Sequence, residues 1–124
     1  DHPENKALLC PMIDARRMEV YTALYTPDFQ VIEDAHPLIM EENAFGERLE
    51  NQEIQFFGDG AEKCIPILSV NPKAHFDIQT QIRAEAMCVP AFDAFKKNQF
   101  ADLAYFEPEY LKPYQGTPPK PKAL

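Results

Sequence analysis

The chain has 124 residues, 45% hydrophobic and 26% charged, a composition that suits one folded domain and excludes a disordered or fibrous protein. Twenty acidic against twelve basic residues leave a formal charge of −8, which repels a phosphate backbone and argues against direct nucleic-acid binding. No stretch approaches the roughly 18 consecutive apolar residues of a membrane span, so a soluble, cytoplasmic protein is expected.

Ala7 to Ile13 is nearly continuous apolar sequence, as in a strand covered on both faces, and Asp14-Ala15-Arg16-Arg17 breaks it into a turn. Met18 to Tyr25 follows as a second central strand, with Val20, Thr22 and Leu24 on one side and Tyr21, Ala23 and Tyr25 on the other. Thr26-Pro27-Asp28 signals a turn, and Phe29 to Met40 reads as a third strand in which Pro37 marks an edge or a bulge. Short turns between these strands predict an antiparallel meander.

The period then changes. Glu41 to Asn51 is acidic in its first turn and spaces Phe45 and Leu49 four apart, which predicts a short helix weakened by Gly46. Ile54 to Phe57 is a brief strand that stops at Gly58-Asp59-Gly60, and Ala61 to Cys64 is a short helix limited by Pro66. His75 to Ile78 is the last strand. Ile82 to Asn98 is the strongest helical pattern, and its face of Ala84, Met87, Cys88, Ala91, Phe92 and Phe95 is expected in the core, with a break near Met87 ahead of Pro90. From Pro113 to Leu124, four prolines in twelve residues predict an extended or disordered tail.

This order describes an α/β domain: a mixed sheet with an antiparallel three-strand meander followed by α-β-α-β-α. It is also the order of one half of an actin-like ATPase, a ribonuclease H-like fold.

Cys10, Cys64 and Cys88 are too few and too widely spaced for a disulfide framework or a zinc pattern, and read as reduced, mostly buried thiols. Asp14 flanked by Arg16 and Arg17 either binds an anion or locks the turn by a bidentate ion pair. Gly58-Asp59-Gly60 ahead of a helix offers backbone N–H groups to a phosphate, or is a tight turn in which Asp59 caps the helix. His75 and Asp77 share a strand face but lack the third ligand that a metal site requires. Tyr105, Phe106, Tyr110 and Tyr114 either pack the closing segment against the domain or serve an interaction. No H-E-x-x-H or G-x-S-x-G occurs, so peptidase chemistry has no support and no catalytic or metal-binding residue is assigned.

Ile13-Asp14-Ala15-Arg16-Arg17-Met18-Glu19-Val20-Tyr21 closely resembles the IDARRGEVY signature of the TsaB (YeaZ) family, with Met18 in place of a usual glycine. Phe57-Gly58-Asp59-Gly60-Ala61 is similar to that family's GDGA turn, and Tyr105 to Lys112 to its closing Y-x-P-x-Y-L-R run. The resemblance implies the C-terminal domain of such a protein over residues 1–112, with residues 113–124 as tail and the N-terminal domain outside the chain. It places the fold in the acetate kinase, sugar kinase, Hsp70 and actin (ASKHA) superfamily.

The function implied is that of a non-catalytic scaffold in tRNA threonylcarbamoyladenosine synthesis, partnering TsaD and the ATPase TsaE, with self-association through the N-terminal domain. Family members carry the label glycoprotease-like without its implying an activity here. Asp14, Ala15, Arg16, Arg17, Glu19 and Tyr21 are the family-motif positions. Gly58, Asp59 and Gly60 are the nucleotide candidates, because superfamily relatives bind the adenosine of ATP near a comparable turn. No cofactor is expected in this chain, with ATP or ADP belonging to the complex. Two rival readings remain: a kinase or ATPase domain, which needs a D-x-G-x-T loop that this chain lacks, and an unrelated α/β interaction module.

Overall fold

Leu8, Cys10 and Met12 alternate along the first strand, β1 (Leu8–Asp14), and all three are buried on one face. The computed structural model describes residues 6–114 and 116. β2 (Glu19–Tyr25) runs antiparallel to β1, with Met12 opposite Thr22 and Asp14 opposite Val20. β3 (Val31–Ile39) runs antiparallel to β2, completing the expected meander. β4 (Ile54–Phe57) and β5 (Ala74–Asp77) lie parallel on the other side, giving the sheet order β3-β2-β1-β4-β5. The mixed sheet and the element order agree with the sequence reading.

The register explains the core. Cys10 faces Phe56 and Phe56 faces Phe76 across the parallel strands, while Val20 faces Leu38 across the antiparallel pair. Onto this face pack Met40, Phe45, Leu49 of α1 (Gly46–Asn51), Ala61, Cys64, and Leu68 of α2 (Ile65–Leu68). Phe56 is fully buried between Phe45, edge-on at 5.1 Å, and Phe76, stacked at 5.4 Å. Thr22 is a polar residue inside this core. Its hydroxyl donates to the Pro11 carbonyl at 2.7 Å and lies 3.2 Å from the Cys10 sulfur, so its burial leaves no polar atom stranded.

Pro37 does lie on an edge strand, and the β2–β3 register shifts between Thr22 and Tyr25. The strand is shorter than expected, because Phe29 takes a left-handed φ of 67° in the turn that Thr26 ties together through Gln30. Residues 42–45 form turns instead of helix, so α1 begins at Gly46. A glycine at that position interrupts no helical turn.

Two expectations fail for a common reason. β1 and β2 were expected to be covered on both faces, yet the face away from the core is covered only in part: Ala23 is buried there, Leu9, Pro11, Tyr21 and Tyr25 are half-buried, and Ile13 is 49% exposed. The helical pattern from Ile82 resolves into a 3₁₀ turn (Ala84–Met87) followed by α3 (Cys88–Lys96), so the break at Met87 is present. Pro90 is the third residue of α3, where its missing N–H has no acceptor in the helix. The α3 face expected in the core is not there: Met87, Phe92 and Phe95 are each at least 60% exposed, and Ala84, Cys88 and Ala91 are exposed as well. Periodicity specifies an amphipathic surface, but it does not specify what covers that surface.

Candidate functional site

The carboxyl end of β1, the β1–β2 hairpin and the glycine turn after β4 meet at one rim of the sheet. Gly58 stands at φ 99°, and a Cβ there would drive into the Met12 carbonyl oxygen. A Cβ on Gly60 would lie 3.0 Å from the Asp14 nitrogen. Only glycine allows this turn to press against the β1 backbone. The Gly60 N–H then donates to the Met12 carbonyl at 3.0 Å, and the Asp14 N–H donates to Asp59 Oδ1 at 2.9 Å. Asp59 therefore ties the glycine turn to β1 and does not cap the helix that follows, which starts at Glu62 with no side-chain cap.

The hairpin is locked from the same side. Asp14 Oδ1 accepts the Arg16 N–H at 2.9 Å and an ion pair from Lys63 Nζ, which also donates to the Glu19 carbonyl at 2.6 Å. Lys63, followed by the Arg16 N–H, holds the Asp14 carboxyl below its ordinary range. Glu19 in turn pairs with Lys112 at 2.5 Å, which raises the lysine above its usual value. The expected Asp14–arginine ion pair is not formed; the locking cation is Lys63. Nothing in the sequence near Asp14 signals Lys63, 49 positions away.

Arg16 and Arg17 both adopt left-handed backbone, at φ 71° and 47°. Both side chains are exposed, and neither pairs with a carboxylate among the described residues. Ala15 donates its N–H to the Glu19 carbonyl, closing the hairpin at 3.0 Å. Tyr21 sits half-buried in β2 opposite Ile13 and Pro37.

Beside the glycine turn, Gly58, Asp59, Glu62, Ile78, Thr80 and Ile82 line an open cleft of about 440 Å³. Its charged groups are both acidic, and the N–H groups of the turn are already engaged, Gly60 by the Met12 carbonyl and Ala61 by the Gly58 carbonyl. A larger cleft of about 610 Å³ lies between β3 and α1, around the Glu33–Arg48 ion pair and away from all the motif residues.

His75 and Asp77 do not act together. His75 Nε2 lies 3.7 Å from Glu53, whereas Asp77 accepts the Thr80 hydroxyl and then the N–H groups of Gln79 and Thr80, which lower its pKa in that order. Among the described residues, no three His, Cys, Asp or Glu side chains converge as for a metal, and no helix is long and apolar enough to cross a membrane. Tyr105, Phe106, Tyr110 and Tyr114 are at least 75% exposed, so they do not pack the closing segment down; Leu111 and Lys112 are the partly buried residues there. Cys10 and Cys64 are buried and Cys88 is exposed. Residues 1–5, 115 and 117–124, including His2 and most of the proline-rich tail, lie outside the described residues.

No family model matches the sequence, and no curated protein matches it. A structural match exists with a crystal structure of an uncharacterized protein from Pseudomonas aeruginosa, described as similar to the peptidase YeaZ. The TM-score is 0.61 at 21% identity, over 88% of this chain and 51% of that one. At this identity the likeness establishes a YeaZ-like fold, and this chain spans about half the length of the protein it resembles.

Proposed function

We propose that this chain is the C-terminal domain of a TsaB-type protein and acts as a non-catalytic scaffold in tRNA threonylcarbamoyladenosine synthesis. One observation carries the reading. Three segments that resemble TsaB motifs, far apart in sequence, converge on one rim: Asp14 with Arg16 from the first, Asp59 with Gly60 from the second, and Lys112 from the third. The carboxylates of Asp14, Glu19 and Asp59 and the Lys112 ammonium are all engaged within this rim, which suits an architectural role for them. The YeaZ-like fold supports the same reading.

On this proposal the partners are TsaD and TsaE in the cytoplasm, ATP or ADP belongs to the assembled complex, and self-association runs through the domain that this chain does not span. The acidic cleft beside Asp59 gives a bound nucleotide no cationic group, so a kinase-like reading gains nothing from the geometry. The test is complementation: cells depleted of TsaB receive the full gene encoding this chain, and threonylcarbamoyladenosine is measured in their hydrolysed tRNA. Restored modification is expected. A well-expressed protein that leaves the nucleoside at depleted levels sinks the proposal.

A further inference from the structure

Among the described residues, the guanidinium groups of Arg16 and Arg17 at the hairpin tip pair with no carboxylate. The hairpin carboxylates are each taken by a lysine, Asp14 by Lys63 and Glu19 by Lys112, so neither quenches the arginines beside it. Arg16 and Arg17 are left exposed on a chain whose formal charge is −8.

Their backbone argues that the side chains serve something other than the turn. Left-handed φ is unfavourable for a residue with a Cβ, and glycine or asparagine would occupy these positions with less strain. Two consecutive arginines hold them instead, on a hairpin fixed from behind by Asp59, Lys63 and the Gly60 N–H. Beside the tip lies a groove of about 470 Å³ in which Arg16 and Arg17 stand next to Met18 and Ile39, themselves 37% and 61% exposed, with the mutually paired Glu19 and Lys112 in its wall.

We propose that this tip is a docking site for an acidic segment of a partner protein that carries a large apolar side chain beside its carboxylates. Each guanidinium can hold a carboxylate bidentately, and Met18 with Ile39 offers the apolar side chain a seat. A nucleic acid fits less well: the −8 chain repels a polyphosphate over its length, and the exposed methionine and isoleucine give a phosphate nothing to bind. The basic tip belongs to this chain whether or not the TsaB reading holds.

The test is selection of a random twelve-residue phage-displayed peptide library on the 124-residue protein. Selected peptides are then synthesised and titrated by fluorescence anisotropy, with a twelve-nucleotide oligothymidylate as the polyphosphate arm. The expected result is enrichment of Asp or Glu next to Leu or Phe, with affinity falling at least tenfold in the Arg16→Asn/Arg17→Gly protein and falling with added salt. That double variant relieves the left-handed strain and should melt no lower than the parent. Arg16→Lys/Arg17→Lys keeps the charge without the bidentate fork and should bind more weakly than the parent but more tightly than the Asn/Gly protein, which separates lost charge from a damaged fold. The proposal is overturned by selected peptides without acidic enrichment, by unchanged affinity in the Asn/Gly variant, or by oligothymidylate binding more tightly than any selected peptide.

Discussion

Gly58→Ala isolates the contact on which the rim depends. Two costs add. An alanine at φ 99° leaves the favourable backbone regions, worth about 1–2 kcal/mol. Its Cβ also meets the Met12 carbonyl oxygen, a backbone atom of the central strand that cannot swing aside, and relieving such overpacking costs about 1–3 kcal/mol. The sum is roughly 2–5 kcal/mol. At the few degrees per kcal/mol usual for a small domain, melting should fall by at least about 8 °C. Gly46→Ala is the matched control, because a Cβ there meets nothing within 4 Å and the position opens α1. It should stabilise by a few tenths to about 1 kcal/mol. Circular dichroism at 222 nm, by heat and by urea, measures both. A Gly58→Ala protein that melts within about 2 °C of the parent would show that the β4 turn does not press on β1 as described.

The exposed apolar face of α3 and the buried sheet face should respond oppositely: Phe56→Ala should cost about 3–5 kcal/mol, and Phe92→Ser less than about 0.5 kcal/mol, both by urea denaturation. Equal costs would place α3 on the core. Native protein should react with a thiol reagent at Cys88 within seconds to minutes, while Cys10, whose burial pushes its thiol up to about 12, and Cys64, raised for the same reason, react only on unfolding. Fast labelling of more than one equivalent refutes this. Asp14 has a lowered folded pKa, so its contribution is complete above the ordinary carboxylate value of about 3.9 and is lost as pH falls through the folded value. Asp14→Asn should therefore be less stable than the parent near neutrality and converge with it in acid; a gap that persists at pH 2 contradicts the Lys63 pairing.

The pairing of the first three strands was readable because the apolar period of two survives in Val20-Tyr21-Thr22-Ala23-Leu24, and because short turns leave a meander little choice. The site was half readable. Gly58-Asp59-Gly60 announces a turn, but nothing local reveals that it lands on Met12 and Asp14, since that approach depends on β4 lying parallel to β1. Lys63 was invisible for the same reason. The misplacement of Met87, Phe92 and Phe95 has a different origin: apolar spacing is intrinsic to a segment, whereas burial depends on a neighbour.

Both margins of the sheet are poor templates for strand addition, although one of its faces is only partly covered. β3 carries Pro37, which offers no backbone donor, and the charged Asp34, while β5 is only four residues long. Amyloid-like stacking needs a long, uninterrupted, hydrogen-bonding edge, and neither side supplies one. Any association of this molecule is thus steered away from edge-to-edge polymers and toward side-chain contacts across the apolar face, where specificity can be written residue by residue.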